Sequence, residues 1–201
     1  MTMTSPIRGP MTARSLTPTD KILTGALLVA PILYLAADST YAARGWDDAT
    51  AGVLHVLGAI AYGFVILRVA SWLPAESKLS AAIVVTGLIG LAGNVAYGFE
   101  AIHQSFGDIQ LVDRSGAANL IKPLGLVFTL SFALVALALR VLGHRRQAAL
   151  VLVAVLLWPI AHIGNIASIA VTANVVLVIA FGSLARPGRQ TSTATDTGAA
   201  S

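Results

Sequence analysis

The chain has 201 residues, of which 56% are hydrophobic and only 11% are charged, and its mean hydropathy is +0.80. Soluble globular domains carry about 25% charged residues, so 13 basic and 9 acidic side chains are too few for a water-facing surface of ordinary composition. This composition argues against a soluble enzyme, a nucleic-acid-binding domain and a disordered chain, and it predicts an all-α integral membrane protein.

The predicted elements are a polar segment, a run of apolar helices and a polar tail. Residues 1–20 are predicted to be a flexible N-terminal segment, because they contain Thr, Ser and Pro without apolar periodicity. A membrane-crossing helix needs about 20 apolar residues, and a six-helix transmembrane domain is predicted over 21–186. The predicted spans are 22–37, 51–73, 79–102, 120–142, 148–163 and 166–185. Residues 187–201 are predicted to be a disordered C-terminal tail.

The division between the last two spans depends on turn-forming residues. An undivided helix over 148–185 would reach about 57 Å, nearly twice the hydrocarbon core of a bilayer. Pro159, Gly164 and Asn165 interrupt this apolar stretch and favour a turn near its middle. A five-helix bundle, in which the stretch is not divided, is the alternative.

The basic residues predict the orientation of the bundle. Six spans place both termini on one side, and all but three of the 13 basic residues fall on that side. The positive-inside rule therefore predicts cytoplasmic termini. A five-span chain would move Arg186 and Arg189 to the outside and weaken this bias. The Arg-rich, Ala-rich and Gly-rich composition is typical of GC-rich bacterial genomes, so we expect a bacterial plasma membrane. The basic residues on the outer side are Arg44, Arg114 and Lys122.

One helical face near the outer side carries the predicted catalytic residues. Ionisable side chains inside membrane spans are costly and are therefore candidates for function. Glu100 and His103 are three residues apart and are predicted to share a helix face. A carboxylic acid among apolar side chains can keep its proton near neutral pH and act as a general acid. The predicted pocket or ligand-binding residues around this pair are Asp38, His55, Asn94, Tyr97, His162 and Asn165.

Two cofactors are compatible with the same residues, although the sequence implies neither strongly. His55, Glu100, His103 and His162 are ligand types that suit a divalent metal, but their spacing lacks the HExxH pattern of zinc proteases. His55 and His162 are also predicted to lie at similar depth, as the two axial ligands of a haem would.

Several of these polar residues also have a structural explanation. Asp38, Asp48 and Lys122 lie near predicted span ends, where they reach interfacial water, and Asp38 is placed to pair with Lys122. His55 lies deeper, and a packed, hydrogen-bonded histidine explains it as well as a ligand does.

Three classes of function remain open from the sequence. The first is a small membrane-embedded enzyme that acts on a lipid or isoprenoid-type substrate by Glu/His acid–base chemistry near the outer side. The second is a non-catalytic accessory, assembly or immunity protein. The third is a small proton-coupled transporter, which is disfavoured because the cytoplasmic halves of the spans contain few polar residues. The predicted partners are the lipid bilayer and either a lipophilic small molecule or another membrane protein, with no nucleic acid.

Overall fold

The computed structural model describes residues 16–111 and 114–185, and these residues form helices without any strand. The prediction of an all-α bundle with six apolar helices is confirmed. A short 3-10 turn over Gly116–Leu120 leads into the fourth helix. The six helices are α1 (Pro18–Arg44), α2 (Ala49–Ala70), α3 (Lys78–Gln104), α4 (Ile121–Val141), α5 (Arg145–Ile163) and α6 (Ala167–Ala185).

All six helices are long and apolar enough to cross a membrane. Large apolar side chains such as Leu28, Leu88 and Leu156 are about half exposed along the outside of the bundle, with exposed fractions of 43%, 50% and 62%. A surface of this kind is stable against hydrocarbon and would promote aggregation in water. The helices are therefore consistent with a multi-pass membrane protein.

The first helix is longer at both ends than its predicted span. Thr17 caps its N-terminus: the Thr17 hydroxyl accepts a hydrogen bond from the backbone N–H of Asp20, and the Asp20 carboxylate accepts one from the backbone of Thr17. Helical structure therefore begins inside the segment predicted to be flexible, at Pro18. The remainder of that segment, residues 1–15, and the predicted tail 187–201 lie outside the described residues.

The helices form a closed ring in chain order. Each helix packs against the next one, and α6 returns to pack against α1. We call the end of the bundle at which α1 begins and α6 ends the terminal end, and the other the opposite end. The connections 71–77 and 142–144 lie at the terminal end. The connections 45–48 and 164–166 lie at the opposite end, together with the described residues 105–111 and 114–120 between α3 and α4.

The turn between the last two helices lies where the sequence predicts it. Helix α5 ends at Ile163, Gly164 follows as its C-cap, and Asn165 has a φ of 51°, in the left-handed region that asparagine tolerates better than most residues. The division into α5 and α6 is therefore confirmed, and the five-helix alternative does not hold.

Close helix crossings on α3 depend on glycine. A Cβ at Gly90 would clash with the backbone of Phe128 on α4, and a Cβ at Gly98 would come within 3.1 Å of the Gly52 carbonyl on α2. Small residues allow membrane helices to approach at this distance, where dispersion favours association. Helix α3 is thereby held between α2 and α4.

The core of the bundle changes in character from one end to the other. At the terminal end the fully buried side chains are apolar, and they include Leu27, Val65, Val69, Ile83 and Leu139. A middle layer of aromatic rings follows, in which Tyr62 contacts Phe128, Phe132 and Phe181 edge to face. Beyond this layer, toward the opposite end, most of the buried side chains with polar groups are found.

Candidate functional site

Asp38 on α1 is the most deeply buried carboxylate that the structure describes, with no exposed surface. Its Oδ2 atom accepts a 2.6 Å hydrogen bond from Nδ2 of Asn174 on α6. Its Oδ1 atom lies 3.6 Å from Nε2 of His162 on α5. The prediction that Asp38 is interfacial and pairs with Lys122 is wrong, because α1 continues past Asp38 to Arg44 and Lys122 lies exposed at the start of α4.

The hydrogen bond made by Nδ1 of His162 leaves its Nε2 atom facing Asp38. Nδ1 of His162 lies 3.0 Å from the carbonyl oxygen of Trp158. A carbonyl oxygen only accepts, so Nδ1 carries a hydrogen. Without a further proton, Nε2 and Asp38 Oδ1 would face each other as two acceptors at 3.6 Å. One proton, on either the imidazole or the carboxyl group, makes this contact attractive and leaves the buried pair with no net charge.

A second buried group joins α1, α2 and α3. The Tyr34 hydroxyl donates to Oδ1 of Asn94 at 3.0 Å. Nε2 of His55 lies 3.3 Å from both the Tyr34 hydroxyl and Oδ1 of Asn94. Since Oδ1 only accepts, the hydrogen of His55 is placed on Nε2, which leaves Nδ1 as an acceptor in the bundle interior. The sequence allowed His55 to be a packed, hydrogen-bonded histidine. Its Nε2 atom is hydrogen-bonded in this way, but its Nδ1 atom has no partner among the described residues.

Aromatic rings connect the two groups. The rings of His55 and His162 have centroids 6.5 Å apart. Trp158 stacks on His162 with centroids 4.2 Å apart, and Tyr97 lies 5.4 Å from His55. We call the polar members of both groups the acid–base cluster. Its members are Tyr34, Asp38, His55, Asn94, His162 and Asn174.

The acid–base cluster contains buried polar atoms that have no hydrogen-bond partner among the described residues. They are Oδ1 of Asp38, Nδ1 of His55, Nε2 of His162 and Oδ1 of Asn174. Buried polar atoms without partners are costly, and in a membrane protein they mark candidates for function. The first three are groups that exchange protons, which makes acid–base chemistry the natural use of this site.

The structure does not bring together the two residues predicted to be catalytic. Glu100 is 5% exposed, whereas the side chain of His103 is 72% exposed and lies 3.4 Å from the Asp108 carboxylate. A spacing of three residues on a helix leaves about 60° between two side chains, and at the end of α3 this angle separates an inward from an outward direction. Glu100 follows Tyr97 by one helical turn and thus lies near the acid–base cluster.

The predicted pocket residues also fall into two groups, those at the acid–base cluster and one that lies apart from it. Asp38, His55, Asn94 and His162 belong to the acid–base cluster, and Tyr97 packs against it. Asn165 is exposed in the turn between α5 and α6 and lies apart from it.

The predicted metal site has no set of ligands in the described part of the chain. No group of three or more His, Cys, Asp or Glu side chains lies within ligating distance of a common point there. Nε2 of His162 faces Asp38, and Nε2 of His55 is hydrogen-bonded to Tyr34 and Asn94. As an axial haem ligand through Nε2, His55 would have to give up its contacts with Tyr34 and Asn94.

Asn174 and Tyr34 are not among the site residues predicted from the sequence. Asn174 is an amide in the middle of an apolar span, a signal as informative as an ionisable side chain at the same depth. Tyr34 has no such signal, because a tyrosine in an apolar span packs equally well as a ring alone. Only the structure shows its hydroxyl donating to Asn94.

A small apolar cavity lies beside the acid–base cluster. Its volume is about 20 Å³, and about 10–15 Å³ is enough to hold one water-sized group. Tyr34 and Trp158, which contact His55 and His162, form part of its wall. The cavity is also lined by Tyr62, Phe128, Thr129, Phe132, Ala154, Val155 and Leu177.

Comparison with known proteins did not find a relative of this chain. No protein-family model, curated protein or solved structure matches the chain.

Proposed function

We propose that the chain is a multi-pass protein of a bacterial plasma membrane with its termini in the cytoplasm. The described basic residues support this orientation, because twice as many lie at the terminal end as at the opposite end. The acid–base cluster then lies in the outer half of the membrane. Those at the terminal end are Lys21, Arg68, Lys78, Arg140, Arg145 and Arg146, and those at the opposite end are Arg44, Arg114 and Lys122.

Within this bundle, the acid–base cluster is the catalytic centre of an enzyme that moves a proton on a lipophilic substrate. The contact between Asp38 and His162 carries this proposal, because both side chains are buried and two atoms that can exchange a proton face each other at 3.6 Å without a hydrogen-bond partner among the described residues. An isomerisation needs one proton delivered and one removed. The Asp38–His162 pair delivers the first and Nδ1 of His55 accepts the second. The proton on His55 then returns to the pair, which restores the starting state without another reactant.

The surroundings of the cluster favour a lipophilic substrate. The apolar cavity is lined by Tyr34 and Trp158, whose rings contact His55 and His162, so a substrate group placed there would be separated from each histidine by one aromatic ring. Toward the terminal end the described core is closed by Val65, Val69 and Leu139, all without exposed surface. A transporter would need a polar path through this layer, so enzyme chemistry explains the arrangement better than proton-coupled transport.

Deuterium incorporation tests the proposal in a mixture of lipids, so the substrate need not be identified beforehand. The full chain is reconstituted in vesicles of bacterial lipid extract in D₂O, and lipids are analysed by mass spectrometry for deuterium bound to carbon. We expect incorporation into one lipophilic species with the unmodified protein. Asp38→Asn and His162→Gln should each slow it by about 10²–10⁴-fold, the usual contribution of acid–base catalysis.

Matched controls are available at exposed positions of the same residue types. Asp47→Asn and His144→Gln change side chains that lie outside the acid–base cluster, and both should retain the rate of the unmodified protein. Circular dichroism checks that all four variants keep their helices. Absence of incorporation with the unmodified protein would contradict enzyme activity and favour the accessory alternative. Unchanged rates in the Asp38 and His162 variants would contradict this assignment of the site.

A further inference from the structure

A groove opens between α4 and α5 at the terminal end, far from the acid–base cluster along both helices. Its volume is about 590 Å³. Ala133, Ala136 and Leu137 form its wall on α4, and Leu152 on α5 faces them together with two alanines. The spacing of these residues along each helix repeats every three to four positions, so each wall is a continuous apolar face. An acyl chain is the kind of group that such a wall accommodates.

Two arginines stand at the mouth of this groove. Arg140 closes the α4 wall and Arg145 begins the α5 wall, and both are exposed. In the described part of the chain neither has a carboxylate oxygen within 4.0 Å. Arg68 at the same end differs, because it lies 3.0 Å from Asp20 and packs over the ring of Trp72. The positive charges at the groove are therefore available to an external anion.

The first turn of α5 adds backbone donors at the same place. The helix begins at Arg145, and its N-cap residue His144 makes no side-chain hydrogen bond to the first turn. An uncapped helix N-terminus offers N–H groups and the positive end of the helix dipole to an anion. Uncapped donors, two exposed guanidinium groups and an apolar groove thus lie next to one another.

We propose that this groove binds one anionic phospholipid. The phosphate contacts Arg140, Arg145 and the N-terminus of α5, and an acyl chain lies along Ala136 and Leu137. Guanidinium groups match phosphate oxygens in geometry and charge. The proposal requires the bundle to be in a bilayer but does not depend on the acid–base chemistry. The terminal end is the proposed cytoplasmic side, where membranes carry anionic lipids.

Lipid retention measured by native mass spectrometry tests the site. The full chain in detergent micelles is titrated with phosphatidylglycerol and, separately, with phosphatidylcholine. We expect tighter binding of phosphatidylglycerol. The double variant Arg140→Gln/Arg145→Gln should lower its affinity by about 30-fold, since each arginine near an anionic lipid contributes about fivefold. The control Arg44→Gln/Arg114→Gln removes two exposed arginines at the opposite end and should leave the affinity unchanged.

A second pair of variants tests the apolar wall without changing charge. Ala149→Leu fills the groove and should reduce retention of phosphatidylglycerol, whereas Ala81→Leu changes an exposed alanine on α3 and should not. Equal affinity for the two lipids, or full retention in the double arginine variant, would overturn the proposal. Competition by inorganic phosphate alone would show a site for the free ion, and loss of a dimer in Ala149→Leu would show that a second copy of the chain occupies the groove. Either result would overturn the proposal as well.

Discussion

The two halves of the bundle are packed by different rules. Around Leu27, Val65 and Leu139 at the terminal end, the buried side chains are apolar. Their packing depends mainly on the volume of the neighbouring side chains. Around Asp38 and His162 toward the opposite end, each buried group needs a partner of a particular chemistry at a particular distance. The first half explains how the helices associate, and the second explains where chemistry can occur.

This difference gives a mutation different consequences in the two halves. An apolar side chain can be exchanged for another of similar size at a cost below about 1.5 kcal/mol. A member of the acid–base cluster cannot be exchanged in this way, because its partners would be left without a donor or a proton. Stability measurements on the full chain in mixed micelles can therefore separate the two halves.

The largest effect is expected for Asp38→Ala. Removing one partner of a buried charge pair costs about 3–5 kcal/mol, because the other members remain buried without compensation. Here His162 and Asn174 would both lose their contact. The measurement is reversible unfolding in mixed micelles of detergent and sodium dodecyl sulfate. Asp47→Ala, at an exposed position, should stay within about 0.5 kcal/mol of the unmodified protein. Equal stability of the two variants would contradict the buried pair.

An exchange of residue types between the halves should have an intermediate effect. Asn174→Leu removes the donor to Asp38, and Leu139→Asn puts an amide among apolar side chains. Each change leaves a buried polar group unsatisfied, and each should lower the free energy of unfolding by about 1.5–3 kcal/mol. Thermal unfolding followed by circular dichroism measures both. A stabilising effect of Asn174→Leu would show that buried side chains near Asp38 tolerate exchange as apolar ones do. It would contradict the proposed difference in packing between the two halves.

The smallest effect is expected at the exposed pair of His103 and Asp108. Their side chains are 72% and 60% exposed, so water screens the contact and His103→Ala should change stability by no more than about 0.5 kcal/mol. The same unfolding assay, carried out beside Asp38→Ala, measures the ratio of the two effects. A loss comparable with that of Asp38→Ala would show that His103 is buried with Glu100, as the spacing of the two residues indicates.

Most of the fold could be predicted because its signals are local. A run of apolar residues of sufficient length predicts a crossing helix wherever it occurs, and Gly164 with Asn165 predicts a turn from the conformations these residues tolerate. The predicted span for α1 is too short, because a charged residue after an apolar run ordinarily indicates the end of a span. Asp38 continues the helix instead, since its carboxylate has partners on α5 and α6.

The site could be predicted only in part. Asp38, His55, Asn94 and His162 were identified from the cost of polar groups in a membrane, which depends on residue type and depth alone. Their partners could not be identified in this way. Asn174 meets Asp38 across 136 residues of chain, and Tyr34 meets Asn94 across 60. The spacing of Glu100 and His103 indicated a pair that helix rotation at the end of α3 separates.

The sequence by itself determined that six apolar helices form and which polar residues lie within them, because helix length and hydropathy are properties of consecutive residues. Only the tertiary structure decided which of those residues meet. The closed ring of helices places α1 against both α2 and α6 and so gives Asp38 and Tyr34 their partners. The approach of α3 to its two neighbours at Gly90 and Gly98 then sets the position of Asn94. Contacts of this kind depend on packing between distant segments, which no local pattern of residues records.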